Sequence, residues 1–326
     1  MSSTTTTTPV TGIVVTTETA TPMTEPEKEN KQGMTTTSTA WNIYNLWNVL
    51  AYIVNVFVTF AIGTFGLFGQ PNNSELSDKY QTIVTPFGTS FSIWGLIFIW
   101  QAFWVVWQLL PTQRNSEGVL RAWYYYPLMT FFQAGWTISF SYEAMWIAAV
   151  CMYAILLTLI LASMSLQKYN KTWKGYLLWQ GPLSVQTGWI MAASGVMTNV
   201  LTVSQTKSTT TLLVVAAGTL AVLTVTALSW LASYPVDFAI PLVLIWALGG
   251  VYAELSDPAV SITDQFSTTQ ITGTRYGVLA GLCLISTCVI LKLVYIFAKQ
   301  RPRAIQQQQQ EQEQNQQEQL DDLEKV

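Results

Sequence analysis

Apolar residues in this chain run in long blocks broken by short polar connections. Eight stretches stand out, at roughly 42–68, 87–110, 122–141, 145–166, 176–201, 211–232, 237–256 and 275–298. Each is near the ~20 residues that a helix needs to cross the hydrocarbon core of a bilayer. Helices are the natural form for them, because backbone polar groups in lipid must find partners within the segment. The pattern predicts an all-α, polytopic membrane helix bundle of about eight transmembrane helices. Only a few residues around "SYEA" part the third stretch from the fourth, which predicts a tight helical hairpin.

The loops carry a second pattern. With eight crossings, alternate loops share a side. One side holds Lys28, Lys31, Arg114, Arg121, Lys168, Lys171, Lys174, Lys299, Arg301 and Arg303, and the other holds Lys79, Lys207 and Arg275. This bias predicts that both termini are cytoplasmic. The sequon at Asn72 then lies on the non-cytoplasmic face, open to glycosylation in a secretory membrane, and the one at Asn170 lies on the cytoplasmic face. Residues 1–40 are Thr-rich without an apolar core, and residues 301–326 are Gln-rich. Both read as disordered cytoplasmic tails, with a short helix as the alternative for the second.

Within the apolar stretches the polar positions are neutral and accompany aromatics. Asn48, Tyr52, Asn55 and Thr59 fall on one face of the first helix. Trp94 and Gln101 share a face of the second, with Trp100, Trp104 and Trp107 on a neighbouring stripe. Gln133 and Trp136 are one turn apart in the third, and Trp179, Gln186, Trp189 and Ala193 line the fifth. An unpaired amide is costly in hydrocarbon, so four such faces should turn toward one another. Two readings are open for the amides: hydrogen-bonding glue between helices, or handles for a bound molecule. Trp41, Trp47, Trp107, Trp123, Trp173 and Trp230 lie near segment ends and read as interfacial anchors. Trp94, Trp100, Trp136, Trp189 and Trp246 lie deeper, most with a Gly beside them (Gly95, Gly135, Gly188, Gly249). A flat indole next to a Gly leaves a slot for a flat, mostly apolar ligand.

Composition narrows the chemistry. Charged residues make up 10% of the 326, against about 25% in soluble domains. With no His there is no His-dependent triad, His metal site or imidazole base. Cys151, Cys283 and Cys288 fall inside apolar runs and read as small buried thiols. No nucleophile–base pair, metal cluster or phosphate loop is visible, so no catalytic residue, metal ligand or cofactor is assigned and an enzyme is not expected. The net charge of −3 comes without a basic stripe, which argues against nucleic acid. Glu143, Asp237, Glu254 and Lys292 all sit near segment ends, which weighs against a proton- or sodium-coupled pump.

"TPFGTSFSIWGLIF", preceded by "SDKY", resembles the second-helix signature of the tryptophan-rich sensory proteins, the TspO/peripheral-benzodiazepine-receptor superfamily, in its longer "FSIWG" branch. "FFQAGWTISFSYEAMW", "GPLSVQTGWIMAA" and "LVLIWALGGVY" follow in family order, so the likeness covers roughly 42–298. The resemblance implies a five-helix bundle around a Trp-lined cavity, with porphyrins, sterols and synthetic aromatics as ligands of relatives. Pro86, Trp94, Trp136 and Trp189 match family positions; Gln133 stands where the family has Asn. It divides the chain into a tail at 1–40, a TspO-like core at 41–201, three additional membrane helices at 202–300 and a tail at 301–326.

The expectation from residues and resemblance together is a membrane receptor or carrier for a flat hydrophobic molecule, tetrapyrrole- or sterol-like. Trp94, Trp136 and Trp189 would stack on it, and Gln101, Gln133, Gln186 and Asn55 would meet its polar groups. The alternatives are a facilitative transporter of a small neutral solute and a non-catalytic scaffold working through its tails. Gly63 and Gly66 would allow the close helix packing of a homodimer.

Overall fold

A computed structural model describes residues 40–122, 124–169, 172–206 and 208–323. The Thr-rich stretch before residue 40, Trp123 and the sequon at Asn170 lie outside them. All regular structure among the described residues is helical.

Helix α1 (Ile43–Val58) starts at a capping box, in which Asn42 and Asn45 satisfy each other's end groups. It runs into a π-helical segment, Thr59–Thr64, and the chain reverses at Gly66 and Gly69, whose φ values of 59° and 74° suit glycine. A second capping box, Asn72 with Glu75, starts the short α2 (Asn73–Lys79). There follow α3 (Ile93–Trp107), α4 (Glu117–Ala122), α5 (Tyr125–Ser141) and α6 (Met145–Tyr169). Next come α7 (Trp173–Gly175), a π-helical segment (Tyr176–Gln180) and α8 (Gly181–Gln205), with Pro182 in its first turn. The chain continues through α9 (Thr209–Ala232), α10 (Ala239–Glu254), α11 (Val260–Gln265) and α12 (Thr268–Leu323).

The eight apolar stretches become α1, α3, α5, α6, α8, α9, α10 and α12. The segments Ile43–Thr64, Gly88–Trp107, Met145–Lys168, Thr209–Ala232 and Thr268–Lys299 are by themselves long and apolar enough to cross a membrane. The other three fall short for physical reasons. At 17 and 16 residues, α5 and α10 are short. Although α8 has 25 residues, it carries Ser184, Gln186, Thr187 and Asn199, all buried. Its polarity faces protein, so apolarity alone understates how deeply it is embedded. The Gln-rich stretch, expected as a disordered arm, is drawn into the last turns of α12. Gln and Glu are good helix formers, and no Gly or Pro follows Pro302.

Helices α1, α3, α8, α6 and α5 close a ring, each packing on the next, and α5 returns to α1. Outside it, α9 and α10 pack on α8, and α12 packs on α9 and α10. Ring and outer helices form one compact unit. At the centre, every residue of α8 from Gly181 to Ala192 is buried.

Small residues set this spacing. A Cβ on Gly188 would stand 2.9 Å from Val243 Cβ and 3.0 Å from the Ile240 carbonyl oxygen on α10; one on Gly195 would stand 2.6 Å from Thr219 Cγ2 on α9. The slot expected beside Gly188 is therefore filled by α10, while Gly95 and Gly249 face open space. Gly63 approaches Asn73 and Thr137, so the close contact it permits is internal and gives no support to a homodimer. Trp41, Trp47 and Trp173 are exposed at helix ends, as anchors should be, but Trp230 is buried in the core shared by α8, α9, α10 and α12.

The outer layer also grips the "TPFGTS" turn. The Phe87 amide donates to the Gly250 carbonyl at 3.0 Å, and Trp246 Nε1 donates to the Ser90 carbonyl at 3.0 Å. A Cβ on Gly250 would lie 2.0 Å from Ser90 Oγ and 2.9 Å from Pro86 Cβ. Gly250→Ala is expected to cost about 1–3 kcal/mol through overpacking. Gly249→Ala, with nothing within 4 Å, should be neutral or stabilising by up to about 1 kcal/mol. Thermal unfolding of the two variants in detergent would check the contrast; equal melting temperatures would contradict the contact.

Candidate functional site

A cavity of about 430 Å³ lies inside the five-helix ring, at the end where α2 sits. Its aromatic wall is Trp94, Trp136 and Trp189 with Phe91, Phe98 and Phe140. These rings fix one another. Trp189 meets Trp94 edge-on at 6.4 Å and Phe91 edge-on at 5.5 Å, Trp94 stacks on Phe98 at 5.7 Å, and Trp136 stacks on Phe140 at 5.2 Å. Such pairs each contribute about 0.5–1.5 kcal/mol beyond area burial, so the wall is held in place before anything binds. Ala192, Ala193 and Val196, on the same face of α8 as Trp189, are small and leave the space beside it open.

Four buried polar atoms on residues lining this space have no partner within the protein: Trp136 Nε1, Trp189 Nε1, Thr59 Oγ1 and Asn73 Oδ1. Leaving a buried donor unpaired costs about 1–3 kcal/mol. These atoms are themselves covered by neighbouring groups and not open to the space, so they are a local packing cost, while the ring faces form the wall.

The three glutamines expected at the site do meet, but mostly with one another. Gln101 Nε2 donates to Gln186 Oε1 at 2.5 Å, and Gln186 Nε2 donates to Gln133 Oε1 at 2.8 Å and to Met129 Sδ at 3.2 Å. The Tyr126 hydroxyl donates to Gln101 Oε1 at 3.2 Å. This amide chain joins α3, α8 and α5. Gln133 alone of the three also lines the cavity. Gln101 and Gln186 are buried beneath it, and their placement is that of interhelical ties. Asn55 is likewise outside the lining; it is fully buried one turn deeper than Thr59, with neither amide atom paired. Below the amides, Trp104 packs on Tyr126 at 4.7 Å and edge-on to Trp179 at 6.3 Å, closing the bundle. Trp100, on the neighbouring stripe of α3, is not among the lining residues, and its Nε1 donates to the Leu177 carbonyl at 3.0 Å.

The rim is the part that sequence reasoning missed. Asn72, Asn73, Ser77 and Asp78 of the α2 region line the mouth with Gln81 and Glu254. The capping box at Asn72 was a visible signal for a helix there, but nothing in its spacing pointed to the cavity. Two straps hold it. Lys79 Nζ pairs with Glu143 Oε2 at 2.5 Å, and the Tyr80 hydroxyl donates to the same oxygen. On the other side Gln81 Nε2 donates to Glu254 Oε1 at 2.8 Å, and the Ser261 hydroxyl donates to Gln81 Oε1 at 2.7 Å. Glu143 sits at the α5–α6 turn with φ 56°, an uncommon conformation for a residue with a side chain. Its bond from Lys79, followed by that from Tyr80, holds its carboxyl below the usual glutamate range.

At the far end of α8 the carboxylate of Asp237 is fully buried and fully served. It accepts from Tyr176 at 2.8 Å, Gln180 at 2.8 Å, Ser184 at 2.5 Å and the Ala239 amide at 3.0 Å. It joins the start of α10 to the start of α8, as a structural tie.

A family model described as TSPO-like protein matches residues 45–300, from α1 into α12. No curated protein and no solved structure matches the chain.

Gln186→Leu should strand the Gln101 donor and the Gln133 acceptor, each costing about 1–3 kcal/mol. Replacing all three glutamines by Leu, together with Tyr126→Phe to remove the hydroxyl that bonds Gln101, should recover much of that loss, because no unpaired group of the chain remains. Melting curves for the single and combined variants would decide it; a combined variant worse than the single one would refute the amide chain. The Glu143 strap gives a pH dependence. Its carboxyl is depressed in the fold, so its contribution is present above the ordinary glutamate pKa of about 4.3 and fades as pH falls through the lower folded value. Thiol labelling of Ser77→Cys should accelerate as pH drops through that window, after correction for thiol ionisation, and should be fast at neutral pH when Glu143→Gln is added.

Proposed function

The chain belongs to the TSPO-like protein family, and on that premise we propose that it is a membrane receptor or carrier holding a flat hydrophobic molecule, tetrapyrrole- or sterol-like, in the Trp-lined cavity. The observation that carries this reading is the pre-formed aromatic wall around an open space. The cavity's volume of about 430 Å³ falls within the range of small-molecule pockets, about 300–1,000 Å³. Trp94, Trp136 and Trp189 supply stacking area, Gln133 supplies orientation, and Gln101, Gln186 and Asn55 lie beneath the wall. We assign no catalytic step.

In this reading the chain crosses the bilayer eight times with both termini cytoplasmic, and the cavity opens under α2 toward the other side. The 41–201 core carries the site, and the helices of 202–300 brace it. The closed packing of Trp104, Tyr126 and Trp179 beneath the amides favours uptake and return of ligand at one face. A facilitative transporter is the second reading, and it would require that cluster to open.

The test is a titration of intrinsic Trp emission in lipid nanodiscs, with a sterol and with an esterified, neutral porphyrin as probes. Saturable quenching is expected for at least one. Losing an aromatic contact worth about 1.4 kcal/mol weakens binding about tenfold, which is the effect expected of Trp94→Ala and of Trp189→Ala. Trp173→Ala, at an exposed helix start, should leave affinity unchanged. Equal affinity in all four proteins would rule the cavity out as the binding site.

A further inference from the structure

The cavity's two ends differ in charge. The inner wall is aromatic, with Trp136, Trp189 and Phe98, and carries no charged side chain among its described residues. At the mouth stand two carboxylates, Asp78 and Glu254, and among the described lining residues there is no Lys or Arg. Glu254 is itself nine-tenths buried, and its two hydrogen bonds, from Gln81 and the Ala259 amide, both go to Oε1. The nearest cation in sequence, Lys79, is held by Glu143 outside the lining. Flanking segments at this end add Glu75 of α2, Asp257, and Asp264 of α11, against Lys207 and Arg275 in the sequence.

A carboxylate entering this mouth would lose hydration and find like charge with no cation to pair, whereas an ammonium would find two acceptors of opposite charge. From this juxtaposition, and resting on the ligand-binding reading above, we infer that the cavity selects flat amphiphiles with an apolar aromatic body and a cationic outer end. The site discriminates against acidic ligands, including tetrapyrroles with free propionates. Selectivity thus comes from the mouth, and the indole wall supplies a body contact common to all flat ligands.

The experiment compares one aromatic ring scaffold carrying a primary amine, a methyl ester or a carboxylate in place of one another. Binding is measured by Trp emission in zwitterionic nanodiscs at pH 7 and low salt. The amine is expected to bind at least about tenfold tighter than the ester, and the ester tighter than the acid. Raising salt should narrow the amine's advantage, as screening requires. Asp78→Asn and Glu254→Gln should each weaken the amine and leave the ester unchanged; Glu254→Gln keeps an acceptor for Gln81. Asp78→Lys, on the exposed face of a short helix, should reverse the order of amine and acid. If the ester binds but the three head groups rank equally, or the acid binds tightest in the wild-type protein, the charge inference fails and the cavity reading stands. If none of the three binds in any variant, both fail.

Discussion

A polar side chain placed in a bilayer must find its partner inside the protein, and Gln186 is where this chain concentrates that demand. It sits in the second turn of α8, fully buried, and it bonds to amides from α3 and α5 at once. That three-way tie sets where the ring helices meet. It also sets where the ring can open, because the cavity begins on the far side of Gln133. Three further sites on α8 follow the same rule: Ser163 and Thr187 share a hydrogen bond at 3.0 Å, Asn199 donates to Thr219 at 2.8 Å, and Asp237 collects the polar groups at its start.

Because α8 spends its polar groups on neighbours, it can be surrounded on every side, and this explains the two-layer plan. On the faces toward α9 and α10, glycines let the outer layer approach to backbone distance. On the ring side, Trp189 projects toward Trp94 and Phe91 while Ala192 and Ala193 stay small. A single helix thus carries dense packing behind and open space in front. Aromatic rings braced edge-to-face keep that space from collapsing, since each is already in contact with another ring.

Helix positions were legible from apolar block length alone, and Trp94, Gln133, Trp136 and Trp189 were legible as a group because their spacing put indole and amide on common faces. What spacing does not encode is depth. Gln101 and Trp94 share a face of α3, yet seven residues of rise place one in the wall and the other beneath the floor, at about 1.5 Å per residue. Trp230 illustrates the complementary error. Its position near a segment end matches an interfacial anchor, but burial depends on which neighbour covers that end, and here the outer layer does. The rim was hidden for a third reason: Asp78 and Glu254 are remote in sequence and share one cavity mouth only because α10 returns to the "TPFGTS" turn.

That return gives the three later helices a physical task. The signature turn has little to hold it within the ring, since it is a loop with a 3₁₀ turn at Gly88–Ser92. Its amide at Phe87 and carbonyl at Ser90 are both taken by α10, and Gly250 lets the turn lie flat against that helix. Pro86, Gly88 and Phe91 of this turn line the cavity, and so does Glu254, one turn beyond Gly250. One element therefore positions part of the aromatic wall and one carboxylate of the mouth together. A shift of α10 along α8 would change both at once, so ligand fit at the wall and charge at the rim are mechanically coupled through a single helix.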